Sequence, residues 1–180
     1  HPLTKAITFT GSAPVGWGIR SKVPHKKVNL ELGSNAPLIV DEDGKVVPIG
    51  TPVLHRATRA VGAAGPDVRT LATRMLRVMQ RAPGVGLAAN QVGAPLRLFT
   101  HVHDRVIPRT VVDPEIRAGE GDWEYREGCL SIHVDGTEAV VHRPRRIQLR
   151  ARTLDGEVFE ATLDEVVARV VQHEVDHLDG

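Results

Sequence analysis

A stretch near the middle of the chain places its apolar residues on one face of a helix. The stripe follows the i, i+3/i+4, i+7 period and predicts an amphipathic helix over residues 68–80. Its members are Val68, Leu71, Met75, Val78 and Met79. The arginines between them are expected on the solvated face, and the two methionines are expected to fill the core rather than bind a metal. Pro83 and Gly84 end this helix.

A second helical pattern closes the chain. Thr162 and Glu165 fit a capping box, which predicts that this helix begins between them. Its inward face is expected to carry Val166, Val167, Val170, Val171, Glu174 and His177. The pattern therefore predicts a helix that turns both apolar and ionisable residues toward the core.

Strand patterns fill most of the region between the two helices. Residues 146–153 alternate apolar and polar side chains, and the turn Asp155-Gly156 joins them in a hairpin with residues 158–162. A turn is also expected at residues 113–114. Other extended segments are expected at residues 46–54, 96–102, 110–112 and 137–142. Together these elements predict an α+β fold in which antiparallel sheets pack around the C-terminal helix.

The first 43 residues have a different pattern. A β-α-β fragment is expected there, because a strand-like run is followed by a short helix and further extended stretches. These segments are residues 5–12, 15–23, 27–32 and 37–40. A single strand-helix-strand unit cannot bury both faces of its own sheet, so we expect this fragment to be poorly integrated with residues 44–180.

Limited proteolysis tests the poor integration of residues 1–43. A segment with little buried surface opens more readily than a packed domain, so protease should cut within residues 1–43 well before it cuts residues 44–180. Mass spectrometry of a digestion time course identifies the cleavage sites. Equal resistance of the two parts would contradict the expectation.

Composition and charge exclude several classes of protein. The chain has 180 residues and 41% hydrophobic content, which allows one packed domain, or one domain with an appendage. A formal net charge of +1 gives no electrostatic case for binding nucleic acid. No apolar run approaches the ~18 residues of a membrane span. A single cysteine cannot form an internal disulfide and no signal peptide is visible, so a reducing, cytoplasmic location is expected.

Residues 173–177 contain the pattern H-E-x-x-H. Residues four apart lie on one helix face, about 5–6 Å apart at Cβ, so His173 and His177 can bind the same metal ion. Glu174 can then act as general base toward a water on that ion. A catalytic site takes a third protein ligand, and Cys129 is the candidate because a cation stabilises its thiolate. Considered alone, a lone cysteine is more commonly a small buried hydrophobe.

Residues 84–93 form a third cluster, which is rich in glycine. Gly84 and Gly86 allow the backbone to pass close to a ligand. Gln91 can donate an amide N–H to a polarised oxygen. Considered alone this segment is weak support for a site, because ordinary loops also contain Gly-x-Gly.

The three clusters, in this order, resemble the motifs of peptide deformylases. The family's patterns G-x-G-L-A-A-x-Q, E-G-C-L-S and H-E-x-D-H-L-x-G match residues 84–91, 127–131 and 173–180 without a mismatch. Residues 48–55 also resemble the family's N-terminal segment. Since the resemblance covers about residues 44–180, this part is expected to be the catalytic domain. It implies hydrolysis of the N-formyl group from the formyl-methionine of nascent polypeptides.

The resemblance also implies roles for individual residues. The metal ligands are Cys129, His173 and His177, and the general base is Glu174. Negative charge on the tetrahedral intermediate is stabilised by Gln91 and by the backbone N–H of Leu130. The substrate-binding residues are expected to be Val85, Gly86, Leu87 and Gly128. The apolar residues near these motifs could equally be plain core.

One divalent metal ion per chain is expected. The resemblance favours ferrous iron in the cell, while zinc, nickel and cobalt also suit a thiolate and two imidazoles. The expected partners are the N-formylmethionyl peptides of nascent chains at the ribosome, and a monomer is expected. The family continues past H-L-x-G, so the catalytic domain is expected to be C-terminally truncated at Gly180. The last helix would then end in unpartnered carbonyls close to His177.

Residues 1–43 resemble a piece of the aldehyde dehydrogenase cofactor domain. The matching motifs are F-T-G-S at residues 9–12, V-G at 15–16 and L-E-L-G at 30–33. The nucleophilic cysteine of that family lies further downstream, in a context that this chain lacks, and most of the nucleotide-binding sheet is also missing. This fragment is therefore not expected to be a functional domain.

Two alternative functions use the same residues. A zinc peptidase also carries H-E-x-x-H, but it usually takes a third histidine or a glutamate as ligand. An inactive metal- or peptide-binding module could remain after fusion and truncation.

Two further predictions concern the residues that surround the site. Glu127 is expected to pair with Arg143 and support the cysteine loop, a surface salt bridge being the alternative. Asp176 is expected to orient a histidine ligand or to cap a backbone group.

Overall fold

The computed structural model describes residues 6–11, 13–23, 26–32, 45–82, 84–132 and 138–180. The chain forms two units, His1–Ile39 and Val40–Gly180. In the first unit, β1 (Ala6–Gly11), α1 (Ala13–Lys22) and β2 (Lys27–Leu32) form a parallel strand-helix-strand arrangement. The predicted β-α-β pattern is therefore confirmed for these elements, while the extended stretch expected at residues 37–40 lies outside the described residues.

The second unit contains two antiparallel sheets and two long helices. Its elements are α2 (Pro66–Arg81), β3 (Gly86–Ala88), β4 (Leu98–His101), β5 (Thr110–Glu120), β6 (Trp123–Glu127), β7 (Ala139–Arg143), β8 (Arg146–Arg152), β9 (Val158–Asp164) and α3 (Glu165–Asp179). One sheet has the strand order β3-β4-β5-β8-β9, and β6 pairs with β7 in a separate two-stranded sheet. Because α3 packs against the five-stranded sheet, the predicted α+β fold is confirmed.

The main core lies between the five-stranded sheet and α3. From the sheet come Phe99, Val111, Ile147 and Leu149, and from the helix Val171, Val175 and Leu178. Fully burying a side chain of this size contributes about 1.5–3 kcal/mol. This packing holds α3 in place along the sheet, and with it the residues of the H-E-x-x-H pattern.

Helix α2 forms as the apolar stripe predicts. Met75 and Met79 are buried with Leu71 and Val78, so the interpretation of the methionines as core residues is confirmed. The helix begins two residues earlier than predicted, at Pro66, because proline is well suited to the first helical position, where no N–H partner is required.

The expected turn at residues 113–114 is instead a β-bulge. Strand β5 continues through it, and its register with β8 shifts between Val112 and Glu115. Asp113 has a φ of 48°, and its carboxylate accepts hydrogen bonds from the backbone N–H groups of Val61 and Gly62 at 2.7 and 2.9 Å. These two bonds stabilise a conformation that aspartate adopts more readily than most residues.

The capping box predicted for α3 is wrong. Thr162 lies within β9, and the residue before the helix is Asp164, which makes no side-chain capping bond. The orientation of Val166 also differs from the prediction, since its side chain is 52% exposed. Val166 instead lines a cavity, while the next residue, Val167, packs against the core.

The other end of α3 is capped by residues distant in sequence. The carbonyl of His177 accepts a hydrogen bond from the side chain of Asn90, and the carbonyl of Leu178 accepts bonds from the backbone N–H and the hydroxyl of Thr58, each at 2.8 Å. The expected unpartnered helix end is therefore wrong, because tertiary contacts satisfy groups that local sequence leaves open.

Three other differences concern short elements. Residues 46–54 are not a continuous strand, since Pro52–His55 forms a 3-10 turn. Strands β3 and β6 are both additional to the prediction.

Among the described residues, no helix has the length and apolar character needed to cross a membrane.

Candidate metal centre and active site

Three donor atoms converge at one point between α3 and the loop that follows β6. His173 and His177 lie one turn apart on α3, and Cys129 lies two residues after β6. One ligand atom from each residue lies within 4.8 Å of the other two. The Sγ of Cys129 is 3.2 Å from Nε2 of His177. The structure thus brings together the three residues predicted as ligands.

The donor set fits a divalent transition metal. The Nδ1 of His173 is 2.9 Å from a carboxylate oxygen of Glu127, which leaves Nε2 for an ion. Burial raises the pKa of Cys129, but hydrogen bonds from His173 and His177 outweigh it and lower that pKa to about 5. The thiolate, which is the form that binds a metal, is therefore favoured. A thiolate with two imidazoles suits zinc or ferrous iron.

Glu174 lies beside this donor set in a nearly water-free position. It is 3% exposed, and its Oε2 has no hydrogen-bond partner among the described residues. Burial raises the pKa of its carboxyl to about 7, against the opposing effect of the nearby histidines. A carboxylate with such a pKa can both accept and return a proton near neutral pH.

Gly86 makes room for this carboxylate. A Cβ atom at residue 86 would lie 2.2 Å from Oε1 of Glu174 and 2.8 Å from its Cδ. Only glycine allows β3 to pass this close to the carboxylate. The close approach explains the second glycine of the Gly-x-Gly pattern by geometry.

A backbone hydrogen bond fixes the side-chain amide of Gln91 so that its nitrogen faces the donor set. Its Oε1 accepts a hydrogen bond from the backbone N–H of Ala88 at 2.9 Å. Its Nε2 is then directed at the Oγ of Ser131, at 3.2 Å, and at the Sγ of Cys129, at 3.5 Å. An N–H donor is therefore held at the edge of the site.

Glu127 is the centre of a buried ionic cluster. Its carboxylate accepts two hydrogen bonds from Arg143, at 2.7 and 2.9 Å, one from Arg169, and one from His173. Burial raises the pKa of Glu127, but the bonds from His173 and Arg143 outweigh it and hold that pKa well below its usual range. The predicted pairing of Glu127 with Arg143 is present, and it is largely shielded from solvent, with side-chain exposures of 9% and 11%, rather than a surface salt bridge.

Two parts of this cluster differ from the sequence-based interpretation. Glu127 is the carboxylate that orients His173, whereas Asp176 binds Arg143 at 2.7 Å, so the role predicted for Asp176 is wrong. Arg169 was not predicted at all. Arg169 is 5% exposed, and the central carbon of its guanidinium lies 4.8 Å from the ring centre of Trp123. No local pattern distinguishes it from a solvated arginine.

Comparison with known proteins agrees with this geometry. Residues 44–180 match the family model described as polypeptide deformylase. The chain belongs to the polypeptide deformylase family. These enzymes depend on a metal ion and remove the N-formyl group from newly made polypeptides. The resemblance found in the motifs is therefore confirmed.

Individual relatives and solved structures share the family name. The peptide deformylase of Rhodopirellula baltica is 41% identical over 133 residues, which cover 72% of this chain and 65% of the relative. That of Dictyoglomus thermophilum is 42% identical, with 73% of this chain and 84% of the relative covered. Among solved structures, the peptide deformylase of Thermotoga maritima has a TM-score of 0.70 at 33% identity, covering 75% of this chain and 90% of that one. The chain thus spans slightly less than two thirds of the length of the Rhodopirellula relative.

The N-terminal part of the chain has a separate likeness. Residues 1–64 match the family model for aldehyde dehydrogenases. This match overlaps the deformylase match over residues 44–64, so the sequence likeness extends beyond residue 43, where the fragment was expected to end. It covers about a third of the chain.

A cavity of about 830 Å³ adjoins the deformylase motifs. Val85, Gly86, Gly128 and Leu130 line it, as does Glu174. Leu87, also predicted to bind substrate, does not line this cavity, because its side chain alternates to the other face of β3 and is fully buried in the core.

The far wall of the cavity contains residues that were not predicted. They are Trp123 and Tyr125 from β6, and Val166, Arg169 and Val170 from α3. The helical period offered a usable signal, because Val166, Val170 and His173 follow the i, i+4, i+7 spacing and therefore share a face. The β6 segment carried a signal that the prediction did not use, since Trp123–Glu127 alternates aromatic with charged residues, the period of a strand with one apolar face.

We expect Gly86→Ala to lower deformylase activity strongly while the chain stays folded. The added methyl group occupies the position of the Glu174 carboxylate, so the carboxylate must move away from the site. A misplacement of about 1 Å at a catalytic group costs on the order of 100-fold in rate. The measurement is kcat/KM for a formylated peptide. Gly65→Ala is the control, because nothing lies within 4 Å of a Cβ added at this exposed glycine, which does not line the cavity. Similar losses in both variants would contradict the steric explanation.

We expect Glu127→Gln to destabilise the fold. Arg143 and Arg169 would remain buried without a shared anion, which typically costs about 3–5 kcal/mol. Denaturation followed by tryptophan fluorescence measures the change, since Trp123 stacks on Arg169. Glu138→Gln is the control, because Glu138 makes a well-exposed pair with Arg126 at 3.0 Å, and such pairs contribute at most about 1 kcal/mol. Equal effects of the two changes would show that the cluster is not a stabilising element.

Proposed function

We propose that this chain hydrolyses the N-formyl group of formyl-methionine at the start of nascent polypeptides, with one divalent metal ion held by Cys129, His173 and His177. The observation that carries the proposal is the convergence of these three donors within 4.8 Å, next to a carboxylate of Glu174 that has an unpartnered buried oxygen. Membership of the deformylase family supports the choice of substrate.

Ferrous iron is proposed as the ion in the cell, with zinc, nickel and cobalt able to occupy the same site. When bound, such an ion acts as a Lewis acid and lowers the pKa of water toward ~7. Metal analysis of protein purified without oxygen tests the choice. Iron at about one equivalent supports it, and zinc alone under those conditions contradicts it.

Glu174 is proposed to move the proton. Its carboxylate accepts the proton of the attacking water and returns it to the nitrogen of the leaving amine. The pKa of about 7 that burial gives this group suits both steps. Its position beside Gly86 keeps it directed at the space in front of the donor set.

Gln91 and the backbone N–H of Leu130 are proposed to stabilise the negative charge that develops on the formyl oxygen. The amide of Gln91 is already oriented by Ala88, so little reorganisation is needed when that charge appears. Leu130 lines the cavity directly after Cys129. In other enzymes the loss of one such donor costs roughly 2.7–4 kcal/mol of transition-state stabilisation.

The substrate peptide is proposed to bind along β3. This strand lies at the edge of its sheet and, within the part of the chain that the structure describes, pairs only with β4, so its other side can accept an extended peptide. Val85, Gly86 and Gly128 would contact the peptide. The methionine side chain would lie against the apolar part of the cavity wall, near Tyr125, Val166 and Val170. A formyl group carries only hydrogen on its carbonyl carbon, so it enters a narrow site that larger acyl groups do not.

A hydrolysis assay separates this proposal from its alternatives. Metal-loaded protein should release formate from formyl-Met-Ala-Ser and leave acetyl-Met-Ala-Ser intact. A zinc peptidase would instead cleave an internal peptide bond. An inactive binding module would bind the metal or the peptide without turnover.

The cellular setting is part of the same proposal. We place the activity in the cytoplasm, on chains that emerge from the ribosome, with the protein acting as a monomer. The nature of the substrate supports the first two statements. Co-sedimentation with ribosomes and analytical ultracentrifugation test them, and a stable dimer at micromolar concentration would contradict the third.

A further inference from the structure

The side chain of Asn90 joins the turn that carries Gln91 to the helix that carries His177. Asn90 is fully buried, and its Nδ2 donates a hydrogen bond to the backbone carbonyl of His177. The family motif G-x-G-L-A-A-x-Q leaves this position open, so the motif itself assigns Asn90 no role.

Asn90 and Gln91 are consecutive residues of one short 3-10 turn, Ala89–Val92. Successive side chains on such a turn point about 120° apart, and these two contact different parts of the site. Gln91 is directed at Cys129 and Ser131, while Asn90 is directed at the end of α3. The turn therefore links two metal ligands through two side chains.

The hydrogen bond from Asn90 reaches the last turn of α3, which contains His177. α3 ends at Asp179, where Gly180 leaves the helical conformation with a φ of 99°, so the carbonyl of His177 is not held by a hydrogen bond within α3. Terminal turns of helices open most readily, and this terminal turn carries a metal ligand. The next carbonyl, that of Leu178, is capped by Thr58, which does not line the cavity.

The oxygen of the Asn90 amide makes no comparable contact within the described parts of the chain. Its Oδ1 is buried and has no hydrogen-bond partner among the described residues. An unsatisfied buried acceptor is unfavourable, and an apolar residue of the same size would avoid it. The donor function of the amide thus distinguishes asparagine from leucine at this position.

We propose that Asn90 is a positioning residue for the metal centre. Its hydrogen bond holds the backbone of His177, and therefore the imidazole, at the spacing from Cys129 and Gln91 that a single ion requires. This inference rests on the proposed metal-dependent function, but it concerns metal binding, which can be measured without turnover.

The test compares Asn90→Leu and Asn90→Ala with Thr58→Val. Both Asn90 variants remove the donor, and only the alanine variant also leaves a cavity. Thr58→Val removes a side-chain cap from the adjacent carbonyl and is the matched control for the stability of the helix end. The zinc dissociation constant is measured by competition with a chelating dye, and the visible absorption of the cobalt-loaded protein reports ligand geometry.

We expect both Asn90 variants to weaken zinc binding by roughly 10–100-fold, as losing a group that orients a metal ligand typically does, and to alter the cobalt spectrum. Thr58→Val should lower the melting temperature but keep the zinc affinity and the spectrum.

Wild-type affinity and spectrum in the Asn90 variants overturn the proposal. Equal weakening in Thr58→Val also overturns it, because the effect would then belong to the helix end in general. If only one Asn90 variant folds, its affinity relative to Thr58→Val decides. Failure of the wild-type protein to hydrolyse formyl peptides would contradict the proposed function, and the metal-affinity comparison would still decide the role of Asn90.

Discussion

Glu174→Gln is expected to lower kcat for formyl-peptide hydrolysis by roughly 10²–10⁴-fold, the usual contribution of a general base. The amide has the same size and stays in the buried position beside Gly86, so neither the packing nor the metal ligands change. It cannot accept the proton of the attacking water. The measurement is formate release by each variant, with the metal content determined on the same samples.

Glu165→Gln is the matched control for this change. Glu165 lies on the same helix, and its exposed carboxylate pairs with Arg145 away from the cavity. Its substitution should leave kcat unchanged. Deformylation by Glu174→Gln at a rate close to that of the wild-type protein would show that another group handles the proton.

Cys129→Ala is expected to remove both bound metal and activity. Two imidazoles remain on α3, but the thiolate that completes the set is lost, and Glu127 and Gln91 cannot replace it from their observed positions. The loss of affinity should exceed the roughly 10–100-fold that follows the loss of a group that only orients a ligand. Metal stoichiometry after gel filtration, together with kcat/KM, measures the effect.

The lone cysteine allows a second measurement on the unmodified chain. Cys129 is the one thiol in the sequence, so alkylation by iodoacetamide reports on this residue alone. Bound metal should slow alkylation strongly, and removal of the metal by a chelator should restore it. Alkylation at the same rate with and without metal would exclude Cys129 as a ligand.

The helical part of the site could be predicted from the sequence because helix geometry is local. Once His173 and His177 are four residues apart on an apolar-striped helix, their proximity follows. Local geometry alone could not identify Cys129 as a ligand, since no local pattern relates it to α3. It could be named because it is the one cysteine and because its neighbours resemble a family motif.

The supporting residues could not be predicted, because tertiary contacts determine them. Arg169 is charged and would ordinarily face solvent, yet the carboxylate of Glu127 and the ring of Trp123 hold it in the interior. Asp113 precedes a proline and resembles a turn, yet pairing with β8 continues around it as a bulge. In each case the partner that decides the conformation lies tens of residues away.

We have proposed that one metal ion, held by Cys129, His173 and His177, makes this chain a deformylase. The decisive measurement is formate release from formyl-Met-Ala-Ser by protein loaded anaerobically with one equivalent of iron. We expect turnover with the loaded protein, loss of turnover after chelation, and recovery when the metal is restored. Protein that retains one ion per chain and still releases no formate would contradict it.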